Sequence, residues 1–456
     1  MAINGGSAAQ GAQIQVQAVG NLDAWLTLNP ECTHFQQEYC RHTPFGLTET
    51  DVFSNSQPRW GATLQFDIPR AGDLMGPMFL HIQRLGLRYL DEDGLPSATA
   101  VVTFVNASAY AAITNCVLEI GSITVDQTSG EFMHLIEAFS TPVGNEQGEM
   151  IGEFASAADL RIWTFNEQVM YAKLQFFNCD HPELYLPLIA LSAHAVRVKV
   201  YLLPINALVN AVTGAGVPFA YSSPPAGLTL DPAADGSIKD AALTLRLVYC
   251  DQFERNLISA EVHELLIIQH QEDRSDSVQP GAQSKGTTLS FNNAILAEWH
   301  AYMDEEHTSS TNLDAKDYFD YTIPRPASEQ PPWLVGTTPI RYCPIDSFAL
   351  RFNSQDRVAV RDSEYFTSVM PFLSMVKKER TRSILTYPYH FAPMVSYSSP
   401  HGSCNWSRIH EVKALFSFRI SGGSSVITDI QGSLRHFVRS HNVGRVANGQ
   451  WVTKFA

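Results

Sequence analysis

The sequence predicts a mainly β protein built as two consecutive sandwich or barrel domains. Apolar residues alternate with polar ones at period two in short segments from one end of the 456-residue chain to the other. Helical periodicity is sparse, and 25 prolines and 28 glycines, the residues that end strands and form turns, separate the segments.

In chain order, TLQFDI presents Leu64, Phe66 and Ile68 on one face, and VRVKVYL presents Val196, Val198 and Val200. LTLRLVY presents Leu243, Leu245 and Leu247, FALRF presents Phe348, Leu350 and Phe352, and FSFRI presents Phe416, Phe418 and Ile420. A strand points successive side chains to opposite faces, so each segment reads as a half-buried strand. VLEIGSITVD reads as a hairpin, because Leu118 and Ile120 alternate into Gly121-Ser122, a two-residue turn that tolerates positive φ, and Ile123 and Val125 resume the pattern. The best helical pattern is GEFMHLIEAF, from Gly130 to Phe139.

Between Pro204 and Asp240 the composition turns to Ala, Gly, Pro and Ser, which favours turns and extended linkers. The expected organisation is an N-terminal arm over 1–20, a first domain over 21–204, a linker over 205–240 and a second domain over 241–456. Each domain is long enough for an eight-stranded jelly roll with long loops. A loop-rich insert, Ile323 to Pro339, interrupts the second. The arm is polar and rich in Gly and Gln; Gln13, Gln15 and Gln17 alternate with Ile14, Val16 and Ala18, a weak strand pattern suited to a neighbour's sheet edge or an inner partner.

Formal net charge is −15, so the general surface repels phosphate backbones and direct nucleic-acid binding is not expected. The tail from Arg435 through Arg439 and Arg445 to Lys454 is basic and lacks carboxylate side chains. Seven cysteines are an odd number, and the N-terminus has neither a basic start nor an apolar run, so reduced thiols and synthesis in the cytosol are expected. No segment approaches the roughly 18 to 20 apolar residues that span a bilayer. A soluble chain is expected.

Six segments carry a resemblance. NPECTHFQQEYCRHTPF, with Asn29, Pro30, Thr33, Phe35, Tyr39, Arg41, Thr43 and Phe45, is followed by IPRAGDL, with Arg70, Gly72 and Asp73. LEIGSITVD and LQFFNCDHPELYLPLIAL come next; LRFNSQDRVAVRDSEYF contributes Asp356 and Arg357, and SPHGSCNWSRI contributes Asn405, Ser407 and Arg408. Together they resemble, in order, the major capsid proteins of nucleocytoplasmic large DNA viruses, the group containing iridoviruses, chloroviruses and marseilleviruses. The resemblance implies a double jelly roll: two consecutive eight-stranded antiparallel rolls with long loops and few short helices. It further implies a homotrimer of pseudo-hexagonal outline, tiling with neighbouring trimers and with minor capsid and penton proteins into an icosahedral shell. That shell lies over an inner viral membrane, which the chain does not span, and is built in the host cytoplasm. No cofactor is implied, and the signature residues are expected to be structural.

Several motifs suggest chemistry and are weighed against that reading. Cys32, His34, Cys40 and His42 in CTHFQQEYCRH are zinc-type ligands. In the resembling family these positions are not fixed as Cys or His, whereas the interleaved Thr33, Phe35, Tyr39, Arg41 and Thr43 carry the pattern. Packing and hydrogen bonding at the base of the first roll is therefore expected in place of a metal. WHAYMDEEH offers His300, Asp304, Glu305, Glu306 and His307, residue types of a cupin metal site or an acid–base pair. It lacks a His-x-His pair and reads as a charged exposed loop. Cys404 lacks a neighbouring base-and-orienter set that the sequence can show and reads as inert. The sequons at Asn106 and Asn405 are expected to be bare, and Arg41, Arg70 and Arg408 to donate within the rolls. The rivals to a shell protein are a double jelly-roll glycan-processing enzyme, such as an amidase or two-cupin oxygenase, and a minor capsid or spike protein that binds glycans. The first needs convergent ligands or carboxylates, the second an unmatched binding module, and the sequence supplies neither.

Overall fold

The computed structural model describes residues 6–37, 39–97, 100–308, 316–324, 341–377, 383–394, 400–421, 424–425 and 431–455. The chain divides into two compact units, Met1–Pro44 and Phe45–Ala456.

The larger unit holds two rolls with one strand order. The first uses β1 (Phe45–Phe53), β2 (Thr63–Asp67), β3 (Leu74–Arg84), β4 (Ile113–Ile120), β5 (Ile123–Thr128), β6 (Gln168–Lys173), β7 (Val196–Leu202) and β8 (Ile238–Cys250). Its sheets run β1-β8-β3-β6 and β2-β7-β4-β5, all antiparallel. The second uses β9 (His263–Val278), β10 (Ser284–Thr288), β11 (Ala294–Asp304), β12 (Ile345–Phe352), β13 (Gln355–Asp362), β14 (Leu385–Pro388), β15 (Val412–Phe418) and β16 (Gly432–Ala447). Its sheets run β9-β16-β11-β14 and β10-β15-β12-β13. Adding eight to each strand of the first roll reproduces the second. This is the double jelly roll.

The period-two pattern explains the cores. Val198 stands opposite both Phe66 and Leu118, so three buried side chains line one face of the first roll's second sheet. In the second roll Phe416 stands opposite Phe348, with ring centroids 5.2 Å apart. The β4–β5 turn places Gly121 at φ 60° and Ser122 at φ 68°, the two positive values that suit the right-handed twist of a tight hairpin. A side chain at 121 would also strike the His194 ring.

The expected domain boundaries need correcting. LTLRLVY does not open the second roll; it lies in β8, where Leu245 pairs with Thr50 of β1 and Met78 of β3, and so completes the first roll's sheet. Residues 205–240 are no linker: Val209–Val212 pairs with Val101–Phe104, Thr229–Asp235 pairs with Leu87–Leu90, and Phe219 is buried edge-on to Tyr89. Composition reported the turns there but could not report partners more than 100 residues away. The rolls are joined by a helix, Gln252–Ala260, whose N-terminus is capped by Asp251 accepting from the Glu254 amide at 2.8 Å. The first roll begins at Phe45, not 21. Most of the insert Ile323 to Pro339 lies outside the described residues.

The smaller unit also departs from expectation. The weak strand pattern is overruled by α1 (Gly6–Gln17), followed by α2 (Asn21–Thr27). Ala and Gln favour helix, and an alternation this short has no partner strand to hold it. Within this unit Leu22, Trp25, Leu26, Leu28, Phe35 and Tyr39 are all exposed. Among the described residues no helix is long and apolar enough to cross a membrane.

Candidate assembly site

The two rolls are locked together by α3 (Gly130–Ser140), which follows β5. Ser129 caps it, accepting from the Phe132 amide at 3.2 Å while donating to Glu272 of the second roll at 2.5 Å. The helix lies on the outer face of β11 and β16. There Phe132, fully buried, has ring centroids 5.0 Å from Phe437, 5.1 Å from His270 and 6.1 Å from Trp299. Leu135, Ile136 and Phe139 extend the contact toward Ala301 and Met303. Burial of four large apolar side chains is the main stabilising term of the junction.

Polar contacts fix its register. His270 Nδ1 and Asp126 Oδ2 are 2.8 Å apart, both fully buried, and Asp126 also accepts from the His270 amide at 2.9 Å. Arg439 donates to Asp180 at 2.8 Å and to the Pro393 carbonyl at 3.1 Å. Burial pushes the Glu272 carboxyl up, opposed by Arg274 and the Ser129 hydrogen bond. The C-terminal hairpin closes the junction from the other end: Trp451 stacks on Phe177 at 5.8 Å, and its amide donates to His194 at 3.1 Å. An arrangement of this kind holds two rolls at one fixed angle.

WHAYMDEEH is not an exposed loop. Trp299 to Asp304 lie on β11, a central strand covered on both faces, by the sheet opposite and by α3. Glu298, His300 and His436 are buried inside the roll. His300 Nδ1 faces His436 Nδ1 at 2.9 Å, His300 Nε2 faces Glu298 at 3.4 Å, and His436 Nε2 faces Asp276 at 3.3 Å. Tyr389 donates to Glu298 at 3.1 Å, and Lys285 pairs with Asp276 at 3.0 Å. Desolvation pushes Glu298 up to about 8 and His300 down to about 3. It lowers His436 too, against the pull of Asp276. Burial alone would raise Asp276, but hydrogen bonds from His436, Thr287 and Lys285 prevail and lower it to about 2. The row is thus neutral imidazoles between a protonated Glu298 and an ionised Asp276. Asp304 is buried at the strand end, and Glu305 and His307 lie in the short helix that follows, where Arg341 approaches His307 Nε2 at 3.4 Å.

The remaining motif residues are scattered. Cys32 and Cys40 are exposed free thiols, and His42 contacts the Thr43 carbonyl at 2.8 Å. No group of three or more His, Cys, Asp or Glu side chains converges in a way that could hold a metal ion among the described residues. Burial pushes the Cys404 thiol up, away from the reactive thiolate. Asn106 accepts from the Phe154 amide, and Asn405 caps a turn by accepting from the Ser407 amide at 3.1 Å.

The signature residues fall into three groups. Asn29, at φ 53°, with Pro30, Thr33, Phe35, Tyr39 and Arg41, is exposed in the smaller unit. Arg70 donates to the His194 carbonyl at 3.2 Å. A side chain at Gly72 would press on Leu247, and buried Asp73 accepts from the Cys250 amide and pairs with Arg255, tying β3 to the inter-roll helix. Asp356 pairs with Arg351 at 2.6 Å across a hairpin; Arg357 and Arg408 are exposed. Sequence reasoning missed Asp126, Asp180 and His270, and took Arg439, here buried, only as part of a basic tail. For His270 and Arg439 the available signal was a polar residue within a strand segment, in LLIIQHQ and RHFVRSH.

Family models match both rolls: "Major capsid protein N-terminus" over residues 33–226 and "Large eukaryotic DNA virus major capsid protein" over 254–452. The chain belongs to the major capsid proteins of large eukaryotic DNA viruses. The capsid protein is 25% identical to the major capsid protein of Pyramimonas orientalis virus, over 96% of this chain and 98% of that one. It is likewise 25% identical to that of Paramecium bursaria Chlorella virus 1, with the same shares covered. Its fold matches PBCV-1 VP54 with a TM-score of 0.69 at 21% identity, over 93% of this chain and all of that one. The Faustovirus major capsid protein gives 0.69 at 12%, over 96% of both. The capsid protein is therefore a structural component of the virion shell, not an enzyme, and its partners are itself and neighbouring capsid components.

Proposed function

We propose that the capsid protein acts as a homotrimer of pseudo-hexagonal outline, tiling with neighbouring trimers into an icosahedral shell. The observation that carries this reading is the repetition of one strand order in two rolls held rigidly by a buried junction. Three such chains supply six similar rolls from one gene, and closed association covers sheet edges that a lone subunit leaves open. Minor capsid and penton proteins fill the remaining positions, and the shell lies over an inner viral membrane without spanning it. Synthesis and assembly take place in the host cytoplasm. The net charge of −15 disfavours direct contact with nucleic acid.

The signature residues act structurally in this reading. Gly72 and Asp73 set the approach of β3 to the inter-roll helix, while the exposed Phe35 and Tyr39 find their contacts on assembly. Negative-stain electron microscopy of the purified protein tests the proposal. Six-lobed particles with three-fold averages are expected; isolated two-lobed particles, or rings of another order, contradict it.

A further inference from the structure

The two rolls share a topology but not the fate of corresponding surfaces. In both, a helical segment follows the fifth strand: α3 after β5, and the run formed by Tyr365–Val369 and Met370–Ser374 after β13. The first of these is buried against the outer face of the second roll's sheet. The second packs inward through Phe366 and Pro371 yet exposes Phe372 at 76% and Leu373 at 67%, with Val369 and Val376 beside them.

The receiving faces differ in the complementary way. On the second roll, Trp299 of β11 and Phe437 of β16 are covered by α3. The corresponding strands of the first roll, β3 and β8, are flanked by β6 and β1 and carry a row that no element of the described chain covers. Phe53, Ala242, His81 and Tyr171 stand side by side across the four strands, His81 stacked on Tyr171 at 4.8 Å, with Phe79 and Val169 in the adjoining rows. Phe53, Val169 and Tyr171 are exposed. One helix therefore lacks a sheet and one sheet lacks a helix, in the topological positions that meet inside the chain.

We infer that the Tyr365–Ser374 run of one copy docks on the outer face of the β1-β8-β3-β6 sheet of the next copy, repeating between chains the contact that α3 makes within a chain. This rests on the trimer proposed above and names its contact. The contact is head-to-tail, so it generates a ring when the rotation closes. If the step between chains equals the step between rolls, three chains close a six-roll ring with every such helix and face used once. A second copy is favoured over an unrelated partner because both halves of the contact are carried by this one chain.

The test compares the unmodified protein with F372D/L373D and, separately, with Y171D, by light scattering with circular dichroism as the fold control. Either variant should be a folded monomer while the unmodified protein is a trimer. A trimeric unmodified protein whose variants also remain trimeric overturns this contact and leaves the trimer standing; a monomeric unmodified protein overturns both. Because a variant could misfold, Phe372 is also replaced by photoreactive benzoylphenylalanine in a mixture of light and isotope-labelled chains. Cross-links from 372 to residues 74–84 or 168–173 of a different chain are expected. Cross-links confined to the same chain, or to other segments, overturn the inference.

Discussion

His300 Nδ1 stands 2.9 Å from His436 Nδ1 at the centre of the second roll, in a row that ends on Glu298 at one side and Asp276 at the other. Two facing ring nitrogens share one proton, so one imidazole donates and the other accepts, and protonating both breaks the contact.

Stability should therefore peak near pH 6.5. The two histidines are depressed below 6.5 in the folded state, so their contribution is intact above 6.5 and is lost as the pH falls; for His300, with a folded value of about 3, the loss reaches at most about 5 kcal/mol. Glu298 has the opposite sign: raised from 4.5 to about 8, its contribution is full below 4.5 and disappears as the pH rises through 8. Below 6.5 two histidines outweigh one carboxyl. Thermal unfolding from pH 4.5 to 9 checks this, and Glu298→Gln, which keeps a neutral group opposite His300, should flatten the alkaline limb and steepen the acid limb, because the carboxyl no longer offsets the histidines between 4.5 and 6.5. An alkaline limb unchanged in the variant would contradict the assignment.

Truncating the helix contact should weaken the whole larger unit. Phe132→Ala removes a fully buried ring between the rolls, and a cost of about 3–5 kcal/mol is expected in urea unfolding. A change below about 1 kcal/mol would mean that the rolls are not held through α3.

The Arg439–Asp180 pair gives a sharper test of the junction. Asp180→Ala leaves a guanidinium that is 2% exposed without its carboxylate and should cost about 3–5 kcal/mol, whereas Arg439→Met combined with Asp180→Ala should recover most of that loss. Equal losses in the single and double variants would show that packing, not charge, sets the effect.

The smaller unit should change state on assembly. Its exposed Trp25, Phe35 and Tyr39 predict that protease cuts between residues 21 and 44 in free subunits and spares that stretch in intact particles. Equal cleavage in both would leave the arm without an assembly role.

Much of the fold was legible because single strands announce themselves locally. Val198 and Leu118 alternate with polar neighbours, and Gly121-Ser122 marks its own turn. The pairing of β8 was not legible, because Leu245 and Thr50 are partners separated by nearly half the chain, and nothing local in LTLRLVY selects β1 over a new sheet. His300 and Asp304 were misread for a different reason: a strand covered on both faces loses its apolar–polar alternation, so polar residues in it resemble a loop. The junction between the rolls was hidden because Phe132 and Phe372 look alike in sequence, and placement alone makes one core and the other surface.

This capsid protein is expected to work three at a time. Multi-angle light scattering of the purified full-length protein at micromolar concentration measures that directly. A single species near three times the 50.5 kDa chain mass, stable on dilution, is expected. A stable species at the mass of one chain would contradict it.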